Sequence, residues 1–295
     1  MPFAHPREFP GGGADAPTGS PTLEGDEPAK AASSRKRRVR HCGTRGATMH
    51  EWAMPTTWTP SVEGHRGDGF VATPFSERCT GLVAAGHHVF LGISPGNGWF
   101  SEDRLVALLH WAAARFTRIE IAHPGTDTVA CTYLGRGYEP RHARARAHRD
   151  VRQTANRVAR AVDSARLDPD RLRVAQFHDF HDTPAYRAAR ERIARAHREQ
   201  PAFHATCTRM VSGVLRTTMP ADWTPTADQL TAGAEYLDSE LPFLLDTPGI
   251  LGVPASVFAY RATPALAGFL YGPDAQLPAA DTQGFVTVEP LPAAR

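Results

Sequence analysis

Residues 87–93, HHVFLGI, run without the polar alternation that a half-wet strand needs. Such a run belongs inside a sheet covered on both faces, and sheets of that kind are usually parallel. The next segment fits the same scheme. After the turn residues SPGN comes SEDRLVALLHWAAARF, with Ser101 as N-cap, Glu102 and Asp103 in the first turn, and apolar Leu105, Leu108, Leu109 and Ala112 at helical spacing. The alternation then recurs. RIEIAHPG (118–125), LRVAQF (172–177) and VPASVFAYR (253–261) read as strands, with FVATPF near residue 70 and GFVTVEP near the end as shorter ones. Residues 141–166, 183–199 and 228–245 read as helices. Strands alternating with helices predict an α/β fold with a mostly parallel sheet.

In such sheets ligands bind beyond the carboxyl ends of the strands, which is where Ser94 lies. Gly92-Ile-Ser94-Pro-Gly matches G-x-S-x-G, the nucleophile elbow of serine hydrolases. That elbow uses the N–H of the residue after the serine as an oxyanion donor, and Pro95 has none. The match is therefore superficial. Taken alone, S-P-G-N reads as a strand-ending turn.

Lysine occurs only at Lys30 and Lys36. This excludes a P-loop, a Schiff-base lysine and a kinase lysine from the rest of the chain. Cys42, Cys79, Cys131 and Cys207 are scattered, which argues against a disulfide framework or a zinc site and for a reducing, cytoplasmic setting. No apolar h-region or membrane-length run is visible, so neither a secretory signal nor a membrane partner is expected. Residues 1–60 are rich in Pro, Gly, Ser and charge and read as a disordered basic tail carrying SRKRRVR at 34–40. Residues 61–295 read as a single globular domain.

From Arg141 to Arg160 the chain has seven arginines and one acid, Asp150. Ala143, Ala147, Val151 and Val158 share the remaining helical arc. A solvated helix usually mixes signs, so a face of Arg141, Arg144, Arg149, Arg152, Arg157 and Arg160 points to a polyanion. A second arginine-rich helix spans Arg187–Arg198. Later, in EYLDSELPFLLDTPG, Tyr236 and Glu240 stand one turn apart on one helix face and can hold a primary amine. Pro242 predicts a kink or restart at that position. His178 and His181 in FHDFHD suggest metal ligands, but no third ligand converges, and the stretch reads as a polar loop.

G-I-S-P-x-N after a buried strand, an arginine-rich helix, Y-x-x-x-E-L-P-F and a tyrosine ending the next strand form one pattern. Over roughly residues 68–265 it resembles the tRNA-dependent cyclodipeptide synthases. The resemblance implies a Rossmann-like catalytic domain similar to those of class I tyrosyl- and tryptophanyl-tRNA synthetases. It implies an aminoacyltransferase that joins two aminoacyl groups from two aminoacyl-tRNAs into a cyclic dipeptide without ATP. No metal or cofactor is expected, and the oligomeric state is left open, a monomer being compatible with the sequence. Ser94 would be the acylated nucleophile in a ping-pong reaction through aminoacyl- and then dipeptidyl-serine. Gly92 would let the substrate approach, and Asn97 would be the loop asparagine. Tyr236 and Glu240 would hold the α-amino group, and Tyr260 would serve cyclisation. One subgroup of the family has the loop asparagine and Tyr-His on the later strand. With Asn97 and Tyr260-Arg261 this chain sits nearer that subgroup. Phe90, Phe243 and Phe258 would line a pocket for a hydrophobic first residue. Two rival readings are a non-catalytic RNA-binding protein, for which the arginine helix would suffice, and a serine esterase.

Overall fold

The computed structural model describes residues 65–67 and 69–291; the basic tail, SRKRRVR and Cys42 lie outside the described residues. The apolar run HHVFLGI contains β3 (His88–Gly92), buried at all five positions. β3 pairs in parallel with β4 (Arg118–His123) on one side and β6 (Ser256–Tyr260) on the other. β5 (Leu172–Gln176) extends the sheet beyond β4, and β7 (Gln283–Pro290) extends it beyond β6, both in parallel. β1 (His65–Gly67) and β2 (Phe70–Pro74) add an antiparallel ribbon at the β7 edge. The sheet order is β1-β2-β7-β6-β3-β4-β5.

The chain thus builds outward from β3 through β4 to β5, then returns to lay β6 and β7 on the other side. The order reverses between β3 and β6, the topological switch point at which doubly wound folds bind ligands. The sequence expectation of a mostly parallel sheet flanked by helices holds.

Alternation along the strands divides the core into two layers. Val89, Leu91, Ile119, Ile121, Val257 and Ala259 meet Leu105, Leu108, Leu109 and Trp111 of α2 (Glu102–Ala113). Phe90, Phe258, Phe285 and Ala122 face the opposite layer. That layer is built from α3 (Thr126–Gly135), α5 (Pro184–Glu199), α6 (Pro201–Arg216) and α7 (Ala227–Leu251). α1 (Glu77–Ala85) and α8 (Ala267–Tyr271) pack near β7.

α4 (Pro140–Ala165) is the arginine-rich helix. Ala143, Ala147, Val151, Thr154, Val158, Ala161 and Ala165 are buried, at the 3–4 residue spacing of one face. Ala147 and Val151 belong to one core layer, Val158 and Ala161 to the other. α4 therefore passes from one layer to the other, beside the loop after β3.

α7 corrects one expectation. The helix runs through Pro242 and breaks at Asp246, whose φ of −157° is not helical. Asp246 Oδ1 accepts the Gly249 N–H at 2.9 Å, so it acts as N-cap of a restarted final turn. The carbonyls released by the break find other donors. Leu245 O accepts the Ala280 N–H at 2.8 Å, and Leu244 O accepts the Tyr271 hydroxyl at 2.5 Å. The backbone breaks where these donors stand, not at the first proline.

Candidate active site

Ser94–Asn97 is a tight turn closed by the Asn97 N–H donating to Ser94 O at 3.2 Å. Pro95 takes its second position, and Gly96, with φ +75°, its third. This is the type II pattern, which wants proline and then a residue that tolerates positive φ. Asn97 is completely buried, and its Oδ1 accepts the Trp99 N–H at 2.9 Å. The turn is anchored to the sheet by the Ile93 N–H, which donates to Ala122 O at 2.9 Å.

Ser94 is thereby presented at the switch point, only 5% exposed. Its Oγ lies 2.9 Å from the hydroxyl of Tyr260, the last residue of β6. A phenol, not an imidazole, meets this serine, and Pro95 still lacks the oxyanion N–H. Both facts disfavour a hydrolase triad.

α7 delivers Tyr236 and Glu240 to the same place. Tyr236 is buried, and burial pushes its phenol well above the ordinary value; Glu240 and Tyr260 nearby add to this, while a hydrogen bond with Ser94 opposes it. Burial raises the Glu240 carboxyl to about 7, so near neutrality it exchanges readily between its two forms. Burial, reinforced by the Glu240 charge, pushes Tyr260 up to about 12; hydrogen bonds with Ser94 and Asn97 and the Arg261 charge pull the other way. Both phenols stay protonated and can donate.

Gly92 makes this convergence possible. A Cβ there would sit 2.8 Å from Phe258 Cζ and 3.7 Å from Glu240 Oε1. A side chain at Gly92 would therefore run into the Phe258 ring, with the Glu240 carboxylate beside it. Gly92→Ala is expected to cost about 1–3 kcal/mol of stability through overpacking, readable as a lowered urea midpoint; an unchanged midpoint would show that Phe258 moves freely.

The three phenylalanines part company. Phe90 and Phe243 are fully buried and stacked at 4.9 Å, with Phe177, Phe180 and Tyr186 packed round Phe243. They are core beneath the site. Phe258 reaches a narrow cavity of about 20 Å³, shared with Glu240, Tyr260, Met210, Leu244 and Leu266. That is room for about one water. Of these lining residues, only Phe258, Glu240 and Tyr260 are expected from the sequence. Met210 lies on α6, where Phe203, Cys207, Met210, Val211 and Val214 stand at helical spacing, a sequence signal by which the helix could be found.

The six arginines also separate. Arg141, Arg149 and Arg152 are exposed on α4, and Arg144 is exposed beside Asp127 at 3.2 Å. Arg157 Nη1 instead donates to Phe100 O at 2.9 Å, and Arg160 Nε pairs with Glu102 Oε2 at 2.6 Å. These two fasten α4 to the loop after β3 and to the start of α2. His178 pairs with Asp179, while His181 stacks on Tyr186, so the two histidines do not converge. Among the described residues no group of three or more His, Cys, Asp or Glu could hold a metal ion. Nor, among them, is any helix long and apolar enough to cross a membrane.

Comparison with known proteins places this geometry. A family model described as cyclodipeptide synthase matches residues 70–290. Cyclo(L-leucyl-L-phenylalanyl) synthase of Streptomyces noursei is 33% identical over 206 residues, covering 70% of this chain and 85% of the relative. Cyclo(L-tyrosyl-L-tyrosyl) synthase of Mycobacterium tuberculosis is 32% identical over 226 residues, 76% of this chain and 77% of the relative. A solved Mycobacterium tuberculosis structure, described as relating cyclodipeptide synthetases to type I tRNA synthetases, superposes with a TM-score of 0.70. It is 30% identical, and the match covers 81% of this chain and all of the other. The Rossmann-like architecture and its kinship to class I synthetases agree with the expected fold. By sequence, by fold and by the match across residues 70–290, the chain belongs to the cyclodipeptide synthase family.

Proposed function

We propose that the protein takes two aminoacyl groups from aminoacyl-tRNAs and releases a cyclic dipeptide, with Ser94 as covalent carrier. The observation that carries this reading is Ser94 Oγ, 2.9 Å from the Tyr260 hydroxyl, at the end of β3 and within the reach of Tyr236 and Glu240. An aminoacyl ester is already activated, so the chemistry needs only positioning and proton transfer. Ser94 Oγ attacks the ester carbonyl, the bond to the tRNA ribose oxygen breaks, and the serine proton passes to that oxygen through the phenols. The α-amine on aminoacyl-Ser94 then attacks the ester of a second aminoacyl-tRNA, releasing that tRNA and leaving dipeptidyl-Ser94. Its free amine attacks the serine ester, closing the ring and returning the proton to Ser94.

An amine attacks only when deprotonated, and α-amino groups lose their proton near pH 7.7–8.0, roughly. Glu240, raised to about 7, is matched to hold the ammonium and then accept its proton. The lining beside it, with Met210, Leu244, Phe258 and Leu266, favours an apolar first side chain over a charged one, which would be costly to bury there; because the cavity holds only about one water, these side chains must move apart to admit it. A single catalytic domain over residues 61–295 acting without a bound metal or cofactor completes the reading. Expression in bacteria and mass spectrometry of the medium test it: diketopiperazines above the empty-vector level support it, and their absence from a well-folded, tRNA-binding protein would favour a binding module.

The tRNA would lie on the exposed part of α4. Replacing Arg141, Arg144, Arg149 and Arg152 with alanine should weaken tRNA binding and flatten its dependence on salt, by roughly 0.7–0.9 of a log unit in slope per lost phosphate contact. Arg157→Ala should leave the slope nearly unchanged, since that half-buried side chain is engaged with the Phe100 carbonyl, whereas Arg160, exposed although paired with Glu102, should contribute less than any of the four. Equal slopes for both sets would place the tRNA elsewhere, with Arg187–Arg198 on α5 the next surface to test.

A further inference from the structure

Between Arg141 and Arg160, α4 carries a single acid, Asp150, and that acid stands against the turn that presents Ser94. Asp150 Oδ2 lies 3.7 Å from the point that a Cβ on Gly96 would occupy. Gly96 is the positive-φ residue on which the turn depends. Asp150 is half-buried and is held from behind, since the Tyr133 hydroxyl of α3 donates to Oδ2 in a short hydrogen bond. Burial and the Asp150 carboxylate push the Tyr133 phenol up to about 12, so it remains a donor.

Tyr133 is itself braced. The Arg136 guanidinium lies 5.6 Å from its ring centroid while donating to Val214 O and Leu215 O of α6. Tyr138 meets the Tyr133 ring edge-on at 5.5 Å, and Arg146 of α4 covers Tyr138 at 4.8 Å. α3 also packs on α7, where Gly135 leaves room for the Gln229 carbonyl, and on α6, where it leaves room for Leu215. A continuous set of contacts therefore runs from α7, which carries Tyr236 and Glu240, through α3 and the Tyr133–Asp150 pair, to the turn that carries Ser94.

A carboxylate is the wrong residue for a tRNA surface, because it repels phosphate. Its position is explained by the turn. We infer that Asp150, held by Tyr133, is a positioning residue that fixes the Gly96 turn so that Ser94 Oγ meets the incoming ester in line with Tyr260. The inference rests on the proposal that Ser94 is acylated by aminoacyl-tRNA. It separates the roles on α4: outward arginines hold tRNA, while the inward acid sets the nucleophile.

The test uses Asp150→Asn and Tyr133→Phe in the full chain. Single-turnover transfer of a radiolabelled aminoacyl group from tRNA to protein gives the acylation rate, and filter binding gives the tRNA affinity. Acylation should slow by about tenfold or more in each variant, since small misplacements of a reacting group are costly. Affinity for tRNA should be unchanged in Tyr133→Phe and unchanged or tighter in Asp150→Asn, which removes a repulsive charge. A merely structural or tRNA-binding role would not give that split. The double variant should be no slower than the worse single one, as expected of two residues acting as a unit. Wild-type acylation rates in both variants, or rate and affinity falling together, would overturn the inference. If Asp150→Asn does not fold, Tyr133→Phe alone decides. Wild-type protein that takes up no label would refute acylation itself, an outcome distinct from unaffected variants.

Discussion

Ser94→Ala protein is expected to fold like the wild type and to form no cyclic dipeptide. The substitution removes one oxygen from a turn whose shape is set by Pro95 and Gly96, and the type II hydrogen bond from the Asn97 N–H to Ser94 O is a backbone bond that alanine keeps. The lost contacts are those to the hydroxyls of Tyr260 and Tyr236, and each such bond contributes about 1 kcal/mol. A small drop in thermal midpoint is therefore the only structural effect expected. The chemical effect is far larger, because no covalent carrier remains. Removing a catalytic nucleophile lowers turnover by roughly 10⁶-fold in the best-measured serine enzyme, and a loss of at least about 10³-fold is expected here. Product measured by mass spectrometry at more than about a tenth of the wild-type level would mean that the two aminoacyl groups meet without Ser94.

Glu240→Gln is the second large effect. Glutamine keeps the shape but can neither pair with an ammonium as a charge nor accept its proton. Loss of a general base costs about 10²–10⁴-fold, and turnover should fall within that range. The pH dependence is more diagnostic than the size of the loss. With the Glu240 carboxyl at about 7, the ionised form gains population as pH rises through 7, so kcat/KM of the wild type should climb over that interval. The glutamine variant should lack this limb. Stability runs the other way. The native carboxyl binds its proton more tightly than the unfolded one, whose value is 4.5, so its contribution is fully present below 4.5 and is lost as pH rises through 7. The variant should lose less stability than the wild type over that interval. An identical pH–rate limb in both proteins would assign the titration to another group, the substrate α-amine, with its ordinary value of about 7.7–8.0, being the first to examine.

The parts of this arrangement that sequence reveals are those governed by local rules. β3 is visible because five buried residues in succession leave one structural option, and the turn after it because Pro95 and Gly96 specify their own dihedral angles. Tyr236 and Glu240 share a face because they stand one helical turn apart. The meeting of Ser94 with Tyr260 is not local: the two are 166 positions apart and come together only through the parallel pairing of β3 with β6. Resemblance to a family supplies that pairing, and periodicity does not. Phenylalanine looks the same to a pattern whether it fills a core or lines a pocket, so the resemblance, which names elements and not side-chain directions, sets Phe90 and Phe243 beside substrate. Arginine likewise does not reveal whether it meets phosphate or, as with Arg157, a backbone carbonyl. α3 is hidden because TDTVACTYLG is poor in strong helix formers; it is held by packing against α4 and α7. Tyr133 and Asp150 are consequently invisible as a pair.

The central claim is covalent, so it is tested most directly by weighing the protein. Wild-type enzyme mixed briefly with one aminoacyl-tRNA, quenched in acid and measured intact should gain the mass of one aminoacyl residue. After proteolysis the adduct should map to the peptide containing Gly92–Phe100, on Ser94. Steady formation of cyclic dipeptide with no adduct at any time, or with the adduct on another residue, would contradict the account.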